Sequence, residues 1–137
     1  EFVAVADNEQ YDTIGSEQAD TGYLSVKISD FIMSYIRDSL KWLNAKNLNG
    51  ASIIGINYNG ITIFENDSVS QLIVIMSVWK QLFDQAPQSF ELLSLADKNR
   101  AENVIVEKTA IVEAFDNLIG ILKFAHENDR MVVHYGV

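Results

Sequence analysis

Residues 68–86 place apolar side chains around nearly the whole circumference of a helix, and no other stretch limits the fold as strongly. Val69, Leu72, Ile73, Met76, Trp79 and Phe83 recur at the three- and four-residue spacing of one stripe. Val74, Ile75, Val78 and Leu82 take up much of the remaining circumference. Asn66-Asp67-Ser68 offers N-cap chemistry in front of it, and Pro87 ends it, because proline drives the preceding residue out of helical conformation. Such a helix cannot turn its back to water. It is expected to be sandwiched inside the domain, with a partner or dimer interface as the alternative.

The rest of the chain alternates strand and helix. Leu24, Val26 and Ile28 point one way and Ser25 and Lys27 the other, a half-buried strand over 23–28. Ser29 or Asp30 then caps a helix running to about Asn47, with Phe31, Ile32, Tyr35, Ile36, Leu40 and Leu43 on one face and Asn49-Gly50 as its stop. The β-rich runs 51–58 and 61–65 flank Asn59-Gly60, which predicts a hairpin closed by a type I′ turn. Strands follow at 90–95 and 103–107, a helix from about Thr109 to Glu127, and a last strand over Met131–Tyr135. Strand–helix–strand thus occurs three times, over 23–58, 61–95 and 103–136. The order predicts an α+β domain: a single sheet with helices on it, a ferredoxin-like split βαβ arrangement extended by a further β-α-β unit.

Charge divides the chain differently. Glu1, Asp7, Glu9, Asp12, Glu17 and Asp20 precede the first basic residue, Lys27, and carry −6 of the formal net charge of −9. Residues 1–22 are therefore expected to be an acidic N-terminal arm or loop, within which Phe2-Val-Ala-Val-Ala could form a short strand. Residues 23–137 form the single domain, and removal of residues 1–20 is expected to leave it folded. A pI near 4.5 with scattered bases excludes nucleic acid and anionic membrane surfaces as partners. The longest apolar run, beginning Leu72–Met76, is far below the roughly 20 residues that span a bilayer. The absence of cysteine removes disulfides, thiolate metal sites and cysteine nucleophiles, and fits a reducing, cytoplasmic setting.

No catalytic or cofactor pattern emerges. His126 and His134, with Glu127 and Asp129 nearby, lack metal-ligand spacing and are read as structural. An EF-hand alignment starting at Asp7 puts Asp12 where the turn glycine belongs. No serine lies in G-x-S-x-G, and Gly50, Gly55 and Gly60 match no phosphate-binding loop. The expectation is a protein that is not an enzyme and needs no cofactor or metal.

The stretch INYNGITIFENDSVSQLIVIMSVWKQLF (56–83) and the closing helix–strand that ends in MVVHYGV set a size, charge and rhythm that resemble a family. They look like the small acidic immunity proteins of bacterial polymorphic-toxin and contact-dependent growth inhibition systems. Neither stretch holds a motif through which a residue's role transfers. The resemblance implies stoichiometric neutralisation of a cognate toxin domain, in this family often a basic nuclease, by blocking its active site or substrate surface. The residues expected to meet such a partner are Asp7, Glu9, Tyr11, Asp12, Glu17 and Asp20 in the leader, with Glu65 and Asp67 ahead of the apolar helix. Either monomer or homodimer suits this reading. The rival is an acidic dimeric secretion chaperone that wraps an effector segment, with helix 68–86 as its dimer interface; a small-molecule enzyme ranks below both.

Overall fold

The computed structural model describes residues 1–5, 24–97 and 100–136, without the side chains of 94–97 and 100–102. The chain is α+β; among the described residues three helices pack on a six-stranded antiparallel sheet. Its elements are β1 (Phe2–Val5), β2 (Ser25–Val26), α1 (Asp30–Leu40), β3 (Asn44–Asn47), β4 (Ser52–Ile54), β5 (Ile61–Phe64), α2 (Asn66–Asp84), β6 (Ser89–Asp97), β7 (Arg100–Glu107), α3 (Lys108–Glu127) and β8 (Met131–Tyr135). The main sheet runs β2-β1-β8-β5-β3-β4, and β6 and β7 form a separate two-stranded ribbon.

This corrects the expected pairing while keeping the layered class. Every described ladder is antiparallel, so no unit closes as a parallel crossover between neighbours. Only the second strand of the third unit joins the sheet: β8 lies at its centre, between β1 and β5, and β7 does not enter it. Among the described residues β7 pairs only with β6, and the ribbon lies against α1 and α3.

β1 supplies the largest correction. Phe2, Val3, Ala4 and Val5 are all buried, and the strand lies between β2 and β8. Residues 2–5 are thus part of the folded body, and removing residues 1–20 takes out an inner strand of the sheet. Residues 6–23, which include most of the acidic leader, lie outside the described residues. The sequence of β1 shows why it sits inside. Phe2 and Ala4 join the core beneath the helices, and Val3 and Val5 join Ile63 and Val133 in a second buried cluster. A strand buried on both faces reads as a continuous apolar run and loses its alternation.

Helix α1 begins as expected, with the Ser29 hydroxyl accepting the Ile32 amide at 3.4 Å. It ends at Leu40 rather than Asn47. Tight turns then bond the amides of Lys41, Trp42 and Leu43 to the carbonyls of Asp38, Ser39 and Leu40, and the chain enters β3. Asn44, Asn47 and Asn49 compete poorly for a helix, because their amides bond to nearby backbone. The Asn47 side chain does so here, accepting from the amides of Asn49 and Ala51 at 3.0 and 2.9 Å. Asn49-Gly50, with Gly50 at φ 77°, is the β3–β4 turn and not a helix stop.

The hairpin expected at Asn59-Gly60 does not form. β4 pairs with β3, and β3 rather than β4 lies beside β5. Neither Asn59 nor Gly60 has the positive φ that a type I′ turn requires. The turn is held by Asn57, whose carboxamide oxygen accepts the Asn59 amide at 3.1 Å and whose own amide donates to the Thr62 hydroxyl at 2.8 Å. A Cβ at position 60 would lie 2.6 Å from the side-chain nitrogen Nδ2 of Asn57, so a larger residue would displace the carboxamide that holds the turn.

α2 and α3 pack along each other over the sheet, with α3 crossing β1, β2 and β8. Phe83 sits where the layers meet, its ring centroid 5.7 Å from Phe115 of α3, 6.1 Å from Phe90 of β6 and 5.9 Å from both Tyr35 and Trp79. Such aromatic contacts add about 0.5–1.5 kcal/mol each beyond area burial. The expected α3 boundaries and the β8 strand agree with the structure.

Candidate partner-binding surface

α2 is not fully sandwiched. Its inner stripe of Val69, Leu72, Met76 and Phe83 is buried, but Val74, Val78 and Leu82 remain 60%, 59% and 58% exposed. Of the two fates open to this helix, the buried one holds for the inner stripe alone. Beside it, the premature end of α1 leaves Trp42 at 68% exposure. Between them runs an apolar groove of about 420 Å³. Its floor is Ser39, Ile75 and Trp79, and its walls are Trp42 and the exposed α2 row.

The floor is held in place by hydrogen bonds. The Ser39 hydroxyl donates to the Ile36 carbonyl at 2.7 Å and accepts the Trp79 indole N–H at 2.8 Å. That satisfies the one polar atom of Trp79 and fixes the ring, which stacks on Phe83 and meets Tyr35 edge-on. Gln71 donates to the Trp42 carbonyl at 3.2 Å, tying the groove's two walls together. The surface is pre-formed at its base and apolar along its length.

Charge is confined to its ends. Between Asp67 and Asp84 the only charged residue of α2 is Lys80, and its ammonium pairs with Asp116 of α3 at 2.7 Å, away from the groove. The hydrogen bond to Asp116 raises the Lys80 pKa. At the N-terminal end, Gln71 is shared with a second, polar hollow of about 440 Å³. This hollow is lined by Asn44, Glu65, Asn66, Asp67 and Ser68 besides Gln71.

The structure brings Glu65 and Asp67 together there, both exposed. Glu65 is already engaged with Lys46 at 2.5 Å, an exposed pair worth little in stability and open to exchange with another cation. The cap expected from Asn66-Asp67-Ser68 is absent. Glu65 occupies the N-cap without a side-chain bond, the Ser68 hydroxyl donates to the Asn44 carbonyl, and the Asn66 amide donates to Asp129 at 3.0 Å. These bonds fasten the start of α2 to β3 and to the turn before β8. Asp7, Glu9, Tyr11, Asp12, Glu17 and Asp20 lie outside the described residues, so the structure does not place them.

His126 is exposed in the last turn of α3. His134 is buried with its ring 4.8 Å from Phe2, its Nδ1 has no hydrogen-bond partner, and burial pushes its pKa down to about 4. It is neutral at neutral pH. Among the described residues no three His, Cys, Asp or Glu side chains gather as a metal site would need, and no helix is long and apolar enough to cross a membrane.

Sequence reasoning missed Trp42 and Ser39. The helical periodicity places both in the interior of a longer helix, where neither is distinctive. The exposed α2 row was visible as excess apolar residues beyond one stripe, but its orientation was not. No family model matches this chain, and no curated protein and no solved structure matches it either.

Proposed function

We propose that this chain is a non-enzymatic acidic binding protein that engages a basic protein partner, most simply as an immunity protein neutralising a cognate toxin domain. One observation carries the reading: Glu65 and Asp67 flank an open polar hollow whose other walls are amides and a hydroxyl. Carboxylates so placed accept guanidinium or ammonium groups, and Asn44, Asn66, Ser68 and Gln71 supply further acceptors around them. The excess of acid over base in the whole chain adds long-range attraction that raises the rate of encounter. The charge of the leader works in the same direction.

Co-expression with the product of the neighbouring reading frame, should that frame encode a basic toxin domain, tests the proposal, and a neighbour of another kind counts against it. Growth should be rescued, the two chains should co-purify, and affinity should fall steeply with added salt. The double variant Glu65→Gln, Asp67→Asn should slow association severalfold at low salt and converge on the parent at high salt. Salt-independent binding, or an association rate untouched by the double variant, removes the hollow from the mechanism. Turnover of a small substrate by the isolated chain removes the whole reading. The exposed α2 row specifically favours a second reading, a dimeric chaperone for an effector segment; that protein would bind an unstructured peptide and give no growth rescue.

A further inference from the structure

The groove beside α2 calls for an occupant, and the pattern of α2 itself indicates which one. Three exposed apolar residues in an unbroken row, joined to an exposed tryptophan, form the kind of patch that marks an interface. Centred on Val78, the outward face of α2 reads nearly the same in both directions. Val74 and Leu82 stand four residues to either side, and Gln71 and Gln85 seven. At 100° per residue all five share one face. A surface with this pattern complements a copy of itself turned end for end, which is the requirement of an isologous two-fold contact. Val78 would meet its own mate on the axis, Val74 would meet Leu82 of the second copy, and Gln71 would meet Gln85. A carboxamide carries both donors and an acceptor, so two glutamines satisfy each other across such an axis.

We infer that this chain forms a homodimer in which the outward faces of two α2 helices pack antiparallel about Val78, with Trp42 of each copy closing over the Leu82 end of the other. The charge distribution selects a second copy over a basic partner for this face. Two chains each carrying −9 repel wherever carboxylates approach, and the outward stretch from Gln71 to Leu82 offers none. A cationic partner would gain nothing electrostatically from a face without acids. The antiparallel arrangement puts the two Asp67 ends about 30 Å apart at 1.5 Å rise per residue, several times the screening length of about 8 Å in physiological salt. Asp84 of each copy falls opposite Leu72 of the other, about 7.5 Å along the axis from that copy's Asp67. These carboxylates repel at each end and weaken the dimer most at low salt, while the two Glu65/Asp67 hollows lie at opposite ends of the dimer. Standard interfaces take about 800 Å² from each partner, a tenth of the 8141 Å² surface of this chain. An α2 of 19 residues, about 28 Å long, together with Trp42 supplies a contact at the small end of that class. The dimer is accordingly weak and dependent on concentration.

Sedimentation equilibrium of the intact chain from low micromolar to submillimolar should show a monomer–dimer equilibrium, and Val78→Asp should weaken it by at least about tenfold by setting two carboxylates on the axis. Thiol cross-linking reads the geometry directly, since the chain contains no cysteine of its own. V78C should oxidise to a disulfide-linked dimer, V74C and L82C should each do so poorly alone, and an equal mixture of V74C and L82C should cross-link. Circular dichroism and thermal melts of each variant confirm that the fold persists. A parent chain that stays monomeric throughout overturns the proposal. So does a dimer that survives Val78→Asp, or V74C cross-linking to itself as readily as V78C. The inference stands apart from the proposed neutralising function: a monomer that still rescues growth and binds a basic domain removes the dimer alone.

Discussion

α2 and α3 have 19 and 20 residues, lie side by side over the same sheet, and bury comparable apolar stripes, yet they treat solvent differently. The exposed positions of α3 include Glu113, Asp116, Asn117, Gly120, Lys123, His126 and Glu127, so its outer face is polar and hydrated. The exposed positions of α2 include Val74, Val78 and Leu82. Leaving those three in water forgoes several kcal/mol of possible burial, at about 25 cal/mol per Å². One helix carries a polar outer face and its neighbour an apolar one, as the inferred contact requires. The contrast singles out the outer face of α2 more sharply than composition does, since both helices are strongly apolar overall.

The largest effect probes the faces that the two helices share. Phe115→Ala and Phe83→Ala each remove a buried ring from the aromatic cluster and should each cost about 3–5 kcal/mol in urea unfolding. A difference of more than about 2 kcal/mol between them would mean that one helix is not fixed by the common core. A smaller effect comes from His134, beneath that core. Its folded pKa of about 4 lies below the usual 6.5, so the unfolded chain takes up a proton that the folded chain refuses. The His134 contribution is therefore whole above about pH 6.5, and up to about 3 kcal/mol is lost as pH falls toward 4. Denaturant melts at about pH 7 and about pH 4.5 should differ accordingly, and His134→Leu should flatten that part of the profile. Equal slopes in parent and variant would show that the imidazole is protonated without cost. The smallest effect is on the outer faces. Val74→Gln should change the stability of the dilute monomer by less than about 0.5 kcal/mol, as surface substitutions do. The same substitution at buried Leu118 of α3 should cost several times more. A large loss from Val74→Gln would mean that the α2 row belongs to the monomer's core.

Two Asn-Gly pairs show where reading the sequence succeeds and fails. Asn59-Gly60, between β-rich runs, predicts a hairpin, while Asn49-Gly50 reads as a helix stop; the structure puts the hairpin at Asn49-Gly50. Local turn chemistry is the same in both. What differs is which strand edge is free, and β3 takes the edge of β5 that β4 would otherwise need. Of the candidate site, Glu65, Asp67 and the surplus apolar residues of α2 could be picked from the sequence. Trp42 and Ser39 could not, because their roles depend on α1 ending three residues before Leu43 is buried.

The sequence by itself determined the α+β class, the positions of α2, α3 and β8, and the acidic balance, because hydrophobic periodicity and side-chain charge are local properties that folding does not alter. Tertiary structure alone decided that Phe2–Val5 is an inner strand, that β6 and β7 stand apart from the sheet, and which side of α2 meets water. Strand neighbours and helix orientation are set by competition among long-range partners for the same edges and the same buried volume. No single segment encodes the outcome of that competition.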